Sequence, residues 1–391
     1  MSTPRLSAPS RIRGRFESLD DWRGLACLFV IVYHSTIVFS SLRAPAASPA
    51  LADALVAVTH SLNVGLALFF VISGYCIAAA ADNARSRGFT TGQYFGRRFR
   101  RIYPPFWFAV AASVACFFVL DYGWSSPLLS SSPWMQYRPW WYSPSQWIGN
   151  LTLTETWRHY LFGSPRGHFP GQAWTLCYEE QFYFVMGMLL LVSRKRFFAG
   201  VALVSALTAG VALLCRSAGV PIEGFFFDGS WLLFAAGVAA YYRLHHASSG
   251  TATALTWLLI GAVPVSWFFP VPIYGATVGF CFAAALPALY EAERRFGSYR
   301  FPPLVTCGRM CYSLYLVHQI PVKAVSMALY RAGVTSAAAT LAVTVPSAVA
   351  VSLGLGWTFY QLVERRFLNA PVTAAPAPAL QPTAALASAP Q

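Results

Sequence analysis

The sequence predicts an all-α, polytopic integral membrane protein with about ten transmembrane helices and both termini cytoplasmic. Three observations predict it. Hydrophobic residues make up 56% of the chain and charged residues 11%, with a mean hydropathy of +0.50, a balance too apolar for a soluble globule. Apolar runs of about twenty residues, enough to cross roughly 30 Å of hydrocarbon at about 1.5 Å per residue, recur along the chain. Basic residues gather in alternate connecting segments, as the retention of Lys and Arg on the cytoplasmic side demands.

Ten runs qualify, near 24–41, 58–81, 103–121, 173–193, 197–215, 229–243, 252–269, 273–290, 306–330 and 336–360. With the N-terminus inside, the cytoplasmic segments hold five basic residues up to Arg23, six from Arg85 to Arg101, three from Arg194 to Arg196, Arg243 alone, four from Arg294 to Arg309, and Arg365 with Arg366. These account for 21 of the 28 Lys and Arg; the rest (positions 43, 138, 158, 166, 216, 323 and 331) are scattered on the other side. The formal charge of +14 is then mostly topology, and no nucleic-acid partner is needed to explain it. The eight cysteines stand in or beside apolar runs without metal-ligand spacing. They read as small hydrophobes, and neither a disulfide framework nor a metal site is expected.

Residues 1–18 form a basic cytoplasmic segment, 19–367 the membrane domain, and 368–391 an Ala/Pro-rich cytoplasmic tail that reads as disordered. The basic start, the first apolar run and APAASPALA at 44–52 imitate a cleaved secretory signal. The run is longer than a signal core and contains a histidine, and its removal would invert the charge bias, so it is read as a span. In that span Arg23 stands at the inner interface and His34 eleven residues later, about 16 Å on and near the midplane. An ionisable group at that depth faces a cavity or a partner, either as a hydrogen-bonded packing residue or as a base. FFVISGY at 69–75 places Ser73 and Gly74 in the inner half of the second span, for close helix packing or as part of a donor site. In YFGRRFRRIYPPFW, Arg97, Arg98, Arg100 and Arg101 crowd the inner surface before Pro104 and Pro105 open the third span. Guanidinium forks suit phosphates, whether of a ligand or of anionic lipid headgroups. The outer loop, about 122–172, carries six tryptophans (124, 134, 140, 141, 147 and 157), which suit a membrane interface or sugar-stacking platforms.

WTLCYEEQFYF, from Trp174 to Phe184, brings two carboxylates into the fourth span. If Trp174 marks the outer interface, Glu179 and Glu180 lie about 8 Å below it and His34 about 14 Å, so tilt can join one of them to the imidazole. Adjacent helical residues point about 100° apart, so only one glutamate faces His34. A carboxylate that orients an imidazole makes it a better general base, and a purely structural pair is the alternative. GRMCYSLYLVH lifts His318 about 15 Å from Gly308, which gives a second mid-membrane histidine as base, acceptor-site ligand or packing residue.

Together these stretches resemble the acyltransferase-3 family of bacterial membrane acyltransferases, which modify O-antigen, exopolysaccharide, peptidoglycan and some macrolides. The resemblance runs from about Leu19 to Arg366. It rests on LDDWRGLACLFVIVYH for the family's arginine-ten-histidine signature, FFVISGY for FF-x-x-SG, RRFRRIYP for the paired arginines, WTLCYEEQFY for W-x4-E, and GRMCYSLYLVH with LVERRF. It implies an O-acetyltransferase of the bacterial inner membrane that moves an acyl group from cytoplasmic acetyl-CoA, or another acyl-CoA, to a hydroxyl of a saccharide or glycolipid acceptor. Transfer would be completed within the membrane domain or handed to a separate envelope partner. Carried across, Arg23, His34 and Glu179 are the catalytic set. Arg97, Arg98, Arg100, Arg101 and Ser73 form the donor site, with two arginine pairs of equal spacing left open. His318, Trp174 and Glu180 belong to the acceptor site.

The chemistry needs such residues. A thioester is already activated, so the protein must position it and strip a proton from an alcohol. Direct transfer with His34 as base and a relay through an acyl-enzyme both satisfy this. The rival from another class is a proton-coupled transporter or flippase, with His34 and Glu179 as a proton relay.

Overall fold

Long apolar runs form helices because, away from water, only a segment that satisfies its own backbone groups is tolerated. The computed structural model describes residues 16–42, 50–123, 138–163, 165–220, 224, 227–268, 275–298 and 300–368, and the regular structure among them is helical throughout. Most of the basic N-terminal segment, Trp124, Trp134 and the tail beyond residue 368 lie outside the described residues. In chain order the α-helices are α1 Leu19–Leu42, α2 Ala50–Ser61, α3 Gly65–Ser86, α4 Thr91–Tyr122, α5 Pro144–Leu151, α6 Glu155–Phe162, α7 Ala173–Val192 and α8 Phe197–Ser217. They continue with α9 Trp231–His245, α10 Ser249–Phe268, α11 Ala276–Phe296, α12 Pro302–Arg309, α13 Cys311–Val317, α14 Gln319–Arg331, α15 Ala337–Ala339 and α16 Val345–Leu362.

Helix stands at every predicted run, but the runs differ in character. Among the described residues six stretches are long and apolar enough to cross a membrane: Leu19–Ser41, Ala50–Ser86, Thr91–Tyr122, Phe197–Ser217, Ser249–Trp267 and Ala337–Arg366. The others fall short for identifiable reasons. α7 carries Glu179, Glu180 and Gln181, α9 has 15 residues, and α11 ends in Glu291, Glu293, Arg294 and Arg295. The ninth run is divided, and Pro321 has no N–H for the Val317 carbonyl, which interrupts the backbone ladder beside His318. On α8 and α10, Leu203, Leu207, Leu214, Trp257, Leu258 and Trp267 are each more than half exposed, an outward apolar surface that suits a multi-pass membrane protein and not a soluble one.

The sequence reading opens the third span at Pro104. The structure starts it at Thr91 and runs α4 for 32 residues through both prolines, from a capping box in which Thr90 and Gln93 bond each other's backbone N–H at 3.1 and 2.9 Å. The arginines thus stand on a helix and not in a loop. Arg98 and Arg101 share one face, while Arg97 and Arg100 share another turned by about 100°.

Two crossings hold the centre. A Cβ on Gly24 of α1 would lie 2.1 Å from the Leu304 carbonyl oxygen of α12, and one on Gly308 would lie 1.9 Å from that of Asp20. Gly74 of α3 and Gly237 of α9 repeat the arrangement, at 2.1 Å from the Phe234 oxygen and 2.0 Å from the Val71 oxygen. In lipid, apolar side chains gain little by associating, so backbone approach at small residues joins such helices.

The connector before α7 departs most from expectation. Its described part, residues 138–163 and 165–172, lies along α4 and does not stand off as a loop. Trp140 meets Tyr122 at 5.2 Å, whereas the carbonyls of Leu151 and Thr152 accept from Trp107 Nε1 at 3.0 Å and Tyr103 OH at 3.2 Å. Those partners are separated by about 28 Å of helix. Side chains satisfy the non-helical backbone: Asn150 Nδ2 donates to the Gly167 carbonyl at 2.8 Å, Gly167 N donates to Glu155 at 2.9 Å, and Glu155 forms a buried ion pair with Arg158 at 2.6 Å. α7 consequently begins in mid-bundle, where Gln172 Nε2 donates to the Leu316 carbonyl at 2.7 Å. Trp174 does not mark the outer end of the bundle.

Candidate active site

α1, α3, α4, α7 and α13 surround two cavities that lie back to back. The larger, about 270 Å³, is lined by Arg23, Ser73, Cys76, Arg98, Arg101, Glu179 and Tyr183 among apolar side chains. Helix geometry selects its arginines. Arg98 and Arg101 line it, with the Arg98 guanidinium 4.9 Å over the Tyr183 ring. Arg97 stacks on Phe89 at 4.3 Å, and Arg100 donates to the Arg366 carbonyl at 3.4 Å. Glu179 accepts from Ser73 Oγ at 2.8 Å and from the Tyr183 hydroxyl. Arg23 donates to Cys76 Sγ at 2.7 Å and pairs with Asp20 at 3.2 Å.

The smaller cavity, about 80 Å³, is lined by His34, Gln172, Trp174, Thr175, Tyr315, His318 and Gln319 among others. Leu66, Phe69, Thr175 and Tyr315 line both cavities, so one layer of side chains divides them. Tyr315 is fixed in that layer by donating to the Gln172 carbonyl at 2.6 Å and by a hydroxyl contact with Thr175 at 2.9 Å.

His34 meets an imidazole where the sequence reading expects a carboxylate. His318 Nδ1 lies 3.0 and 2.9 Å from the carbonyls of Leu314 and Tyr315, which can only accept, so Nδ1 carries the proton. The bare Nε2 of His318 then accepts from His34 Nδ1 across 3.2 Å, which leaves the His34 lone pair on Nε2. The expected His34–Glu179 pair is not formed, because Trp174 sits at the level of His34 and Glu179 lies about 7.5 Å further along α7. Glu180, turned about 100° from Glu179, lines neither cavity and stands apart from Trp174 and His318.

Gln172, Thr175, Tyr315, Gln319 and Lys323 escape the sequence reading. Lys323 carried the clearest signal, a lysine inside an apolar run five residues after His318. A third cavity, about 620 Å³ between α8, α9 and α10, has walls almost wholly apolar and no charged lining residue, so it is not a site for this chemistry. No curated protein and no solved structure matches the chain significantly. A family model described as an acyltransferase domain, Acyl_transf_3, matches residues 16–361, nearly the whole chain, and with the same stretch supplying both cavities the protein belongs to the acyltransferase-3 family.

Proposed function

We propose that the protein is an O-acyltransferase of the bacterial inner membrane that moves an acyl group, acetyl in the first instance, from cytoplasmic acyl-CoA to a hydroxyl of a saccharide-type acceptor at the cell envelope. The observation that carries this reading is the pair of cavities, one with arginines and the other with an oriented imidazole, divided by a single layer of side chains.

Arg98 and Arg101 bind the CoA phosphates as bidentate guanidiniums, and the apolar remainder of their cavity takes the narrow pantetheine arm. Arg23 serves the donor too, since it lies about 16 Å along α1 from His34. Ser73, Glu179 and Tyr183 form a hydrogen-bonded wall beside the arm. His34 Nε2 removes the proton from the acceptor hydroxyl as its oxygen attacks the thioester carbonyl carbon. The tetrahedral intermediate collapses with cleavage of the C–S bond, and the departing CoA sulfur takes the proton back from His34. Trp174 offers the acceptor an aromatic face in the same cavity. The transport alternative requires a His34–Glu179 relay, and the two groups bond to other partners.

Membranes containing the protein should transfer radiolabel from acetyl-CoA to a saccharide acceptor, whereas a transporter would move substrate without consuming it. His34→Gln keeps much of the volume and polarity but cannot cycle a proton near neutral pH, so transfer should fall by roughly 10²–10⁴-fold at normal protein levels. Near-normal transfer by that variant would overturn the mechanism.

A further inference from the structure

The hydrogen bonds through His34 form a chain whose two ends have fixed polarity. At one end the Lys323 ammonium, which can only donate, lies 3.0 Å from Gln319 Oε1. Gln319 must then turn its NH₂ toward His34, whose Nε2 is 3.3 Å away and so accepts. At the other end the carbonyls of Leu314 and Tyr315 can only accept, which makes His318 Nε2 the acceptor and His34 Nδ1 the donor across 3.2 Å. Starting from either end, the result is the same tautomer, a neutral His34 protonated on Nδ1. The glutamine is buried, between a buried lysine and the histidine.

We propose that Lys323 and Gln319 are positioning residues that lock His34 in the Nδ1–H tautomer, and that the Gln319 NH₂ occupies the place the acceptor hydroxyl takes when it delivers its proton to Nε2. This rests on the reading of His34 as the base. The two donors are alike in what they offer the lone pair, and the amide can swing aside without breaking its bond to Lys323. Other groups that titrate around His34 are few. Cys27 and Tyr33 share its helix, His60 of α2 faces Tyr33, Tyr315, His318 and Lys323 come from α13 and α14 and the residue between them, and Tyr360 of α16 packs near Cys27. α3 and α7 present Leu66, Phe69, Trp174 and Thr175 to this cavity, none of which titrates.

The test is Gln319→Glu, which keeps the shape and the acceptor for Lys323 but cannot donate to Nε2, so it favours a protonated, inactive His34. The acidic limb of the kcat–pH profile should move up by at least one unit, a loss of about tenfold on that limb, with KM for acetyl-CoA nearly unchanged. Gln319→Ala should be less damaging than Gln319→Glu. Lys323→Met, which frees the amide to rotate, should move the limb in the same direction, and Lys323→Arg should restore it. A structural role predicts the reverse order, with the isosteric glutamate tolerated, alanine worst and the limb fixed in every variant. That result overturns the inference. An inert His34→Gln together with an unmoved limb sinks the positioning roles alone, whereas an active His34→Gln sinks the base reading beneath them.

Discussion

Arg98 and Arg101 enter the donor cavity while their neighbours Arg97 and Arg100 leave it, and this division of four similar side chains is where single-residue chemistry is sharpest. A charge-assisted hydrogen bond is worth about 1.5–3 kcal/mol, so Arg98→Ala and Arg101→Ala should each raise the acetyl-CoA concentration needed for half-maximal transfer by about tenfold or more. Arg97→Ala and Arg100→Ala should change it little. Equal effects in all four, measured by initial rates in membranes, would assign the cluster to lipid headgroups. The sequence contains both pairs at one spacing, and only the packing of α4 against α7 separates them. Glu179 was legible as a buried carboxylate and Ser73 as a donor-site candidate, but their hydrogen bond was not, since it comes from the meeting of α3 and α7, and Tyr183 lies in a helical turn read only as apolar.

Helix crossings carry the next level. Alanine at Gly24 or Gly308 would drive a Cβ into a backbone carbonyl at 2.1 or 1.9 Å, a contact no side-chain rotation relieves, so overpacking of about 1–3 kcal/mol is expected. Both variants should lower the yield of monodisperse protein on detergent extraction. Gly210→Ala on α8 meets nothing within 4 Å and serves as the control.

For the whole molecule, one orientation must serve both substrates. The proposed arrangement puts the arginine-rich end in the cytoplasm and the far end of α8 outside. Ser86→Cys and Ser217→Cys place exposed thiols at the two ends. In intact cells a membrane-impermeant thiol reagent should label position 217 and spare position 86. Labelling at 86 would reverse the bundle and remove the cytoplasmic donor from the proposal.

Composition and the spacing of apolar runs determined by themselves that this is a helical membrane protein, because helices with apolar surfaces are what lipid tolerates, and local motifs determined the family. They also marked Arg23, His34, Glu179 and the arginine cluster, because a charge or an imidazole within an apolar run stands out from its neighbours. What sits opposite each was decided only by the tertiary structure. In the sequence, Trp174 reads as a surface marker that sets the depths, but the connector folds inward along α4 and starts α7 at the level of His34. That shift of about 7.5 Å takes Glu179 away from His34 and leaves the imidazole with His318, Gln319 and Lys323, residues some 284 positions or more away in the chain. Sequence spacing fixes neighbours along one helix, whereas partners on different helices depend on where each helix begins in the bundle, and packing alone sets that.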